Sequence, residues 1–206
     1  MNEEEWVGLC NKHETDKCNL SEFYSERLEE YRSRPIKILE IGVLHGNSLL
    51  LFNEYFDNAQ LYGLDCGELW KGRLPDDIKV FQGRQSDVGV LWDIYEEAGT
   101  FDIIIDDGSH LVKDIIASFE FFKDKFNCLY IIEDTSLTLH GRYYEILNEE
   151  NFCYMSNLSE ENDFSLLQDR NFYDDYWSRR IRELDSQGEK LFHHITFYHN
   201  LVCIDK

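Results

Sequence analysis

The stretch Ile36-Lys37-Ile38-Leu39-Glu40-Ile41-Gly42-Val43-Leu44-His45-Gly46-Asn47-Ser48 decides the fold. Its first half is an apolar, Ile-rich run with no polar alternation, which suits a strand covered on both faces. Its second half holds two glycines and runs into apolar residues spaced three and four apart over 47–56, a helical pattern. Outward from it the same rhythm repeats. Apolar runs at 60–65, 78–82, 101–106 and 128–134 alternate with helical spacing at 87–98 and 112–126, where Ile115, Ile116, Phe119, Phe122 and Phe126 share one face. Residues 194–198 and 201–205, separated by His199-Asn200, read as an antiparallel hairpin. The expectation is an α/β fold: a doubly wound, mostly parallel seven-stranded sheet closed by that hairpin.

With 206 residues the chain suits one domain, with a helical segment over 1–34 that Pro35 ends. Residues 136–190 break the rhythm and are rich in Asn, Asp, Glu, Tyr and Arg. Hydrophobic residues at 43 % suffice for a packed core. The formal charge of −21 repels phosphate backbones and anionic lipid, which excludes nucleic acid or membrane as the main partner and favours divalent cations. Six cysteines, at 10, 18, 66, 128, 153 and 203, form no CxxC pair and read as free thiols of a reducing compartment. The acidic N-terminus lacks the apolar run of a signal peptide, and nothing reaches the ~18 apolar residues of a membrane span, so a cytoplasmic protein is expected.

Open α/β sheets bind ligands beyond the carboxyl ends of their strands. At the first such end Gly42 and Gly46 permit a tight turn and close approach, and Asn47 or Ser48 can cap the next helix. There is no GxGxxG and no GxxxxGK[ST]. A buried Glu40 would repel a pyrophosphate but accept from an ammonium group, and Asp65, at the second strand's end, can hold ribose hydroxyls. The fourth and fifth strands end in Asp106-Asp107 and Glu133-Asp134, which would bring four carboxylates into one crevice. Such a group suits Mg²⁺ that keeps some of its waters. Helix capping, for instance by Asp107 ahead of Val112, is the alternative use of these acids. His110, three residues past Asp107, stands where an anionic cluster makes an imidazole a better base.

The ExGxxxG turn, Asp65 and the closing hairpin resemble class I S-adenosylmethionine-dependent methyltransferases with their Rossmann-like fold. The likeness is most specific to the macrocin and mycinamicin sugar O-methyltransferases. Glu14-Thr15-Asp16-Lys17 resembles their GTDK and residues 82–87 (QGRQSD) their QGDQSD; Asp106–His110 matches their DDGSH, and Ile132-Glu133-Asp134 their IED. It covers roughly residues 10–135 and 190–206, and departs from the family at Glu14, in place of Gly, and Arg84, in place of Asp. The resemblance implies Mg²⁺-dependent methyl transfer from S-adenosylmethionine to a hydroxyl of a sugar-like small molecule. It implies His110 as general base and Asp107, Glu133 and Asp134 as metal ligands. For the cofactor it implies Glu40, Gly42, Gly46 and Ser48 at the methionine end, Asp65 at the ribose, Gln85 and Ser86 at the adenine, with Asp106 facing it and Thr15 and Lys17 over its carboxylate. The variable 136–190 segment, with Tyr143, Tyr144, Tyr176 and Trp177, stands for aromatic platforms under a sugar, or for ordinary packing or a homo-oligomer contact; His140 reads as a surface residue, with a place in the acceptor pocket as the alternative. A phenolic acceptor, or a cofactor-binding module without catalysis, remains as an alternative.

Overall fold

The computed structural model describes residues 3–134, 194–198 and 201–206. The 136–190 segment, with its candidate aromatics, His140 and Cys153, therefore lies outside the described residues. The order is α1 (Glu3–His13), a 3₁₀ turn (Asp16–Leu20), α2 (Ser21–Arg27), a second 3₁₀ turn (Glu29–Tyr31), β1 (Ile36–Ile41), α3 (Asn47–Tyr55), β2 (Ala59–Asp65), β3 (Lys79–Gln82), α4 (Val88–Ala98), β4 (Phe101–Asp106), α5 (Val112–Phe122), β5 (Phe126–Glu133), β6 (His194–Tyr198) and β7 (Leu201–Asp205).

The strands form one sheet in the order β3-β2-β1-β4-β5-β7-β6. The first five run parallel, and β7 runs antiparallel to both β5 and β6. The chain winds outward from β1 to one edge and returns at β4, so the switch point falls between β1 and β4. Alternate side chains of each strand go to opposite faces. Ile38, Ile103, Ile105, Leu129 and Ile131 pack with Trp6, Phe23, Tyr24, Leu49 and Phe52 from α1, α2 and α3. Leu39, Ile41, Ile104, Tyr130 and Ile132 pack with Leu91, Ile94, Ile115, Phe119 and Phe122 from α4 and α5. Burial on both faces explains why the sequence showed unbroken apolar runs.

The 1–34 segment is helical as expected, in two α-helices and two 3₁₀ turns. Two local expectations are corrected. Phe126 belongs to β5, in register with Phe101, although it shares helical spacing with Ile115, Phe119 and Phe122. Neither Asn47 nor Ser48 caps α3: the cap position is Gly46, left-handed at φ 85°, and Asn47 Nδ2 donates instead to the Glu14 carbonyl at 3.0 Å. Cys10, Cys18, Cys66, Cys128 and Cys203 are free thiols. No described helix is long and apolar enough to cross a membrane.

Candidate active site

The tips of β1, β4 and β5 deliver the acids expected from the sequence, but strand alternation splits them between the two faces. Glu40 and Glu133 continue the series of Ile38 and Ile131, toward α1 and α2; Asp106 continues Ile104, toward α5. The single crevice of four carboxylates is therefore corrected. Asp106 is buried and accepts hydrogen bonds from Gln85 Nε2 at 2.9 Å, Ser118 Oγ at 2.7 Å and Tyr130 Oη at 3.3 Å. Burial raises its pKa, against the pull of those donors.

On the other face a cation already sits among the acids. Lys17, 1 % exposed, lies with Nζ 2.6 Å from Asp107 Oδ2, 2.6 Å from Glu133 Oε1 and 3.9 Å from Glu40 Oε1. Burial alone would strip its proton, but Glu133, Asp107 and Glu40 outweigh that and hold its pKa well above the ordinary lysine value. The Tyr24 hydroxyl donates to the same Glu133 oxygen. Burial pushes Glu133 up to about 7, with Lys17 pulling the other way. Glu40 is 0 % exposed and is pushed up to about 8 by burial, which Lys17 and the Ser48 hydroxyl only partly offset. Asp107 caps nothing: the residue before α5 is Leu111, whose N–H donates to Ser109 Oγ at 3.1 Å.

Past the strand ends, Asp107, His110 and Asp134 each place a ligand atom within 4.8 Å of the others'. His110 Nε2 lies 3.7 Å from Asp134 Oδ2. Both residues are left-handed, His110 at φ 55° and Asp134 at φ 53°, a conformation costing a non-glycine on the order of 1 kcal/mol and concentrated in proteins at working sites. Of the three expected metal ligands, the structure thus groups Asp107 and Asp134 with the expected base, while Glu133 is turned to Lys17 and Tyr24.

Beside this group a cavity of about 780 Å³ opens at the carboxyl ends of β1 to β4. Of the expected cofactor residues, Gly42, Asp65 and Gln85 line it, and Arg84 stands next to Gln85 in its wall; Thr15, Glu40, Gly46, Ser48, Ser86 and Asp106 are not in its lining. Asp65 organises the rim: Oδ2 accepts from the amides of Val43 at 2.8 Å and Leu44 at 2.7 Å, and Oδ1 from Gly67 at 2.6 Å. Gln85 binds backward to Asp106 through Nε2 and forward to the Ser109 amide at 2.7 Å through Oε1, tying the cavity floor to the loop that carries Asp107 and His110. Gly42, at φ 91°, is required by a close approach within the protein, since a Cβ there would lie 2.0 Å from the Asp107 carbonyl oxygen. Thr15 Oγ1 accepts from the Lys17 amide at 3.5 Å and starts the first 3₁₀ turn. Glu14, at the position where the resembled family has Gly, is left-handed at φ 55°, which gives the family's glycine its physical reason.

Tyr24, Ser118, Tyr130 and Asp114 were missed. Tyr24 and Ser118 sit on helices whose spacing announces only packing, and no local pattern tells which buried hydroxyl will meet a carboxylate. Lys17 was noted, but for a different role.

The sheet order, the reversal between β1 and β4, the inserted β7 and a cavity at that reversal define the Rossmann-like methyltransferase fold. No protein-family model matches the chain. Its curated relatives are sugar O-methyltransferases. It is 36 % identical over 121 residues to mycinamicin VI 2''-O-methyltransferase of Micromonospora griseorubida, covering 54 % of this chain and 30 % of that one. It is 34 % identical over 121 residues to demethylmacrocin O-methyltransferase of Streptomyces fradiae, with the same shares of 54 % and 30 %. With 8-demethyl-8-alpha-L-rhamnosyl tetracenomycin-C 2'-O-methyltransferase of Streptomyces olivaceus it shares 30 % identity over 140 residues, 62 % of this chain and 37 % of the relative. The chain thus spans about a third of the length of these relatives. Among solved structures, MycE methyltransferase from the mycinamycin biosynthetic pathway, in complex with Mg, SAH and mycinamycin VI, superposes with a TM-score of 0.70 at 23 % identity, over 97 % of this chain and 53 % of that chain.

Proposed function

We propose that this protein transfers a methyl group from S-adenosylmethionine to a hydroxyl of a sugar or sugar-like group on a small molecule, with Mg²⁺ and in the cytoplasm. The observation that carries the reading is the grouping of Asp107, His110 and Asp134 beside a cavity at the sheet's switch point. The similarity to sugar O-methyltransferases supports it, as does a structural neighbour solved with Mg and SAH.

The residues present fit both groups. Two carboxylates from adjacent strand tips suit a hard ion that keeps waters or takes acceptor oxygens, whereas an imidazole is a poor Mg²⁺ ligand, which leaves His110 for proton transfer. The buried Glu40 carboxylate has the chemistry to receive an ammonium group, and a cavity of about 780 Å³ lies within the range that holds small-molecule ligands. When bound, Mg²⁺ would polarise an acceptor hydroxyl and S-adenosylmethionine would supply an electrophilic methyl.

The protein's own part is to align, to hold and to take a proton. Asp107 and Asp134 would hold the ion from two strand tips, and Glu133 would complete the set if Lys17 gave way. His110, whose imidazole stands 3.7 Å from Asp134, accepts the hydroxyl proton, a contribution typically of ~10²–10⁴ in rate. Gly42, Asp65, Gln85 and Arg84 line the wall that would receive the cofactor's nucleoside. Holding the sulfonium and the hydroxyl in line supplies much of the remaining acceleration.

A labelled-methyl assay with S-adenosylmethionine against sugar nucleotides, glycosides and catechols tests the reading. Activity should favour sugars, vanish with EDTA and return with Mg²⁺; indifference to both, or transfer confined to catechols, refutes it. His110→Ala should retain S-adenosylmethionine binding by calorimetry and lose at least a hundredfold in turnover, and near-normal turnover removes the residue from its role.

A further inference from the structure

We propose that Lys17 is a built-in counter-cation that competes with the divalent ion for Asp107 and Glu133 and so sets the ion's affinity. The inference rests on the proposed metal site and names what regulates it.

The geometry is that of a bridging cation. One nitrogen stands 2.6 Å from an oxygen of each of two carboxylates on different strand tips, and the side chain is 1 % exposed. Burying an ammonium carries a desolvation cost of several kcal/mol that only close, well-placed anions repay. Here Glu133, Asp107 and the more distant Glu40 provide that repayment. The lysine is not placed there by chance flexibility. Its backbone belongs to the first 3₁₀ turn, started by Thr15, and its carbonyl accepts from the buried Trp6 indole Nε1 at 3.3 Å. Tyr24, one helix later, donates to the same Glu133 oxygen. Residues of the N-terminal segment thus occupy Glu133 from two directions.

An ion bound by Asp107 and Asp134 alone leaves Lys17 on Glu133; an ion that recruits Glu133 must move the ammonium away. Either way a unit positive charge stands a few ångströms from the ion and opposes it. Lys17 is a positioning residue: it holds the two carboxylates in place in the ion-free protein and keeps ion binding weak.

Calorimetric titration of the whole protein with Mn²⁺, as the probe ion, tests this on Lys17→Met and on Lys17→Gln, whose amide can still hydrogen-bond the acids. The expected result is binding at least tenfold tighter than wild type, with a larger ion-induced rise in melting temperature. In wild type, the slowly exchanging Lys17 ammonium signal in ¹⁵N-lysine spectra should shift or vanish on saturation with Mg²⁺. Wild-type binding that neither variant tightens, together with an unmoved ammonium signal, overturns the inference and leaves the proposed function standing. Absence of ion binding in every variant overturns both. Binding gained only in the variants supports the competition and removes the ion from the wild-type reaction.

Discussion

Replacing Glu40 by Gln separates the energetic role of the buried carboxyl from its role toward a ligand. Glu40 is 0 % exposed and its pKa rises from 4.5 to about 8. The groups facing it are Lys17, Ser48, Asp107 and Glu133. Because the folded state holds the proton more tightly than the unfolded chain, wild-type stability falls as pH rises from about 4.5 through about 8. At ~1.4 kcal/mol per pKa unit, the fall attributable to Glu40 is at most about 5 kcal/mol, with the opposing pull of Lys17 already included. For a chain of this size each kcal/mol moves the melting temperature by about 2–4 °C. Urea unfolding of wild type and Glu40→Gln at intervals from pH 5 to 9 should give curves that diverge in the variant's favour as pH rises. An unsatisfied amide shifts the variant by a constant, so the slope difference is the diagnostic quantity. Parallel curves would refute the argument that Glu40 is a buried acid only partly compensated by its neighbours. If the carboxylate also receives the cofactor's ammonium, S-adenosylmethionine binding should weaken at least tenfold.

Two further substitutions test the backbone. Gly42→Ala would press a Cβ to 2.0 Å from the Asp107 carbonyl oxygen at φ 91°, so a loss of about 3 kcal/mol or more is expected by chemical denaturation; an unchanged midpoint would show that the two loops can part freely. Glu14→Gly relieves a left-handed glutamate at φ 55° but adds freedom to the unfolded chain, so a gain of about 0.5–1 kcal/mol is expected, and any loss argues that the Glu14 side chain contributes.

The element order was legible because each parallel strand, buried on both faces, leaves an unbroken apolar run, and each helix between leaves a 3.6-residue stripe. The acids at the strand ends were legible for a related reason: few other residues belong at the mouth of such a sheet. Their partners were not. Asp106 and Asp107 are neighbours in sequence, yet alternation sends one to Gln85 and Ser118 under α5 and the other to Lys17 under α2.

By itself, then, the sequence determined the doubly wound sheet, the closing hairpin and the presence of Asp107, His110 and Asp134 at the tips of neighbouring strands. Only the tertiary structure decided which acids share a face and which cation answers them. Lys17 and Asp107 are 90 residues apart, and Tyr24 and Glu133 are 109 apart. Periodicity reports which way a side chain points from its own element; it carries no information about the element that packs opposite, and in a low-dielectric interior that opposite partner sets the charge.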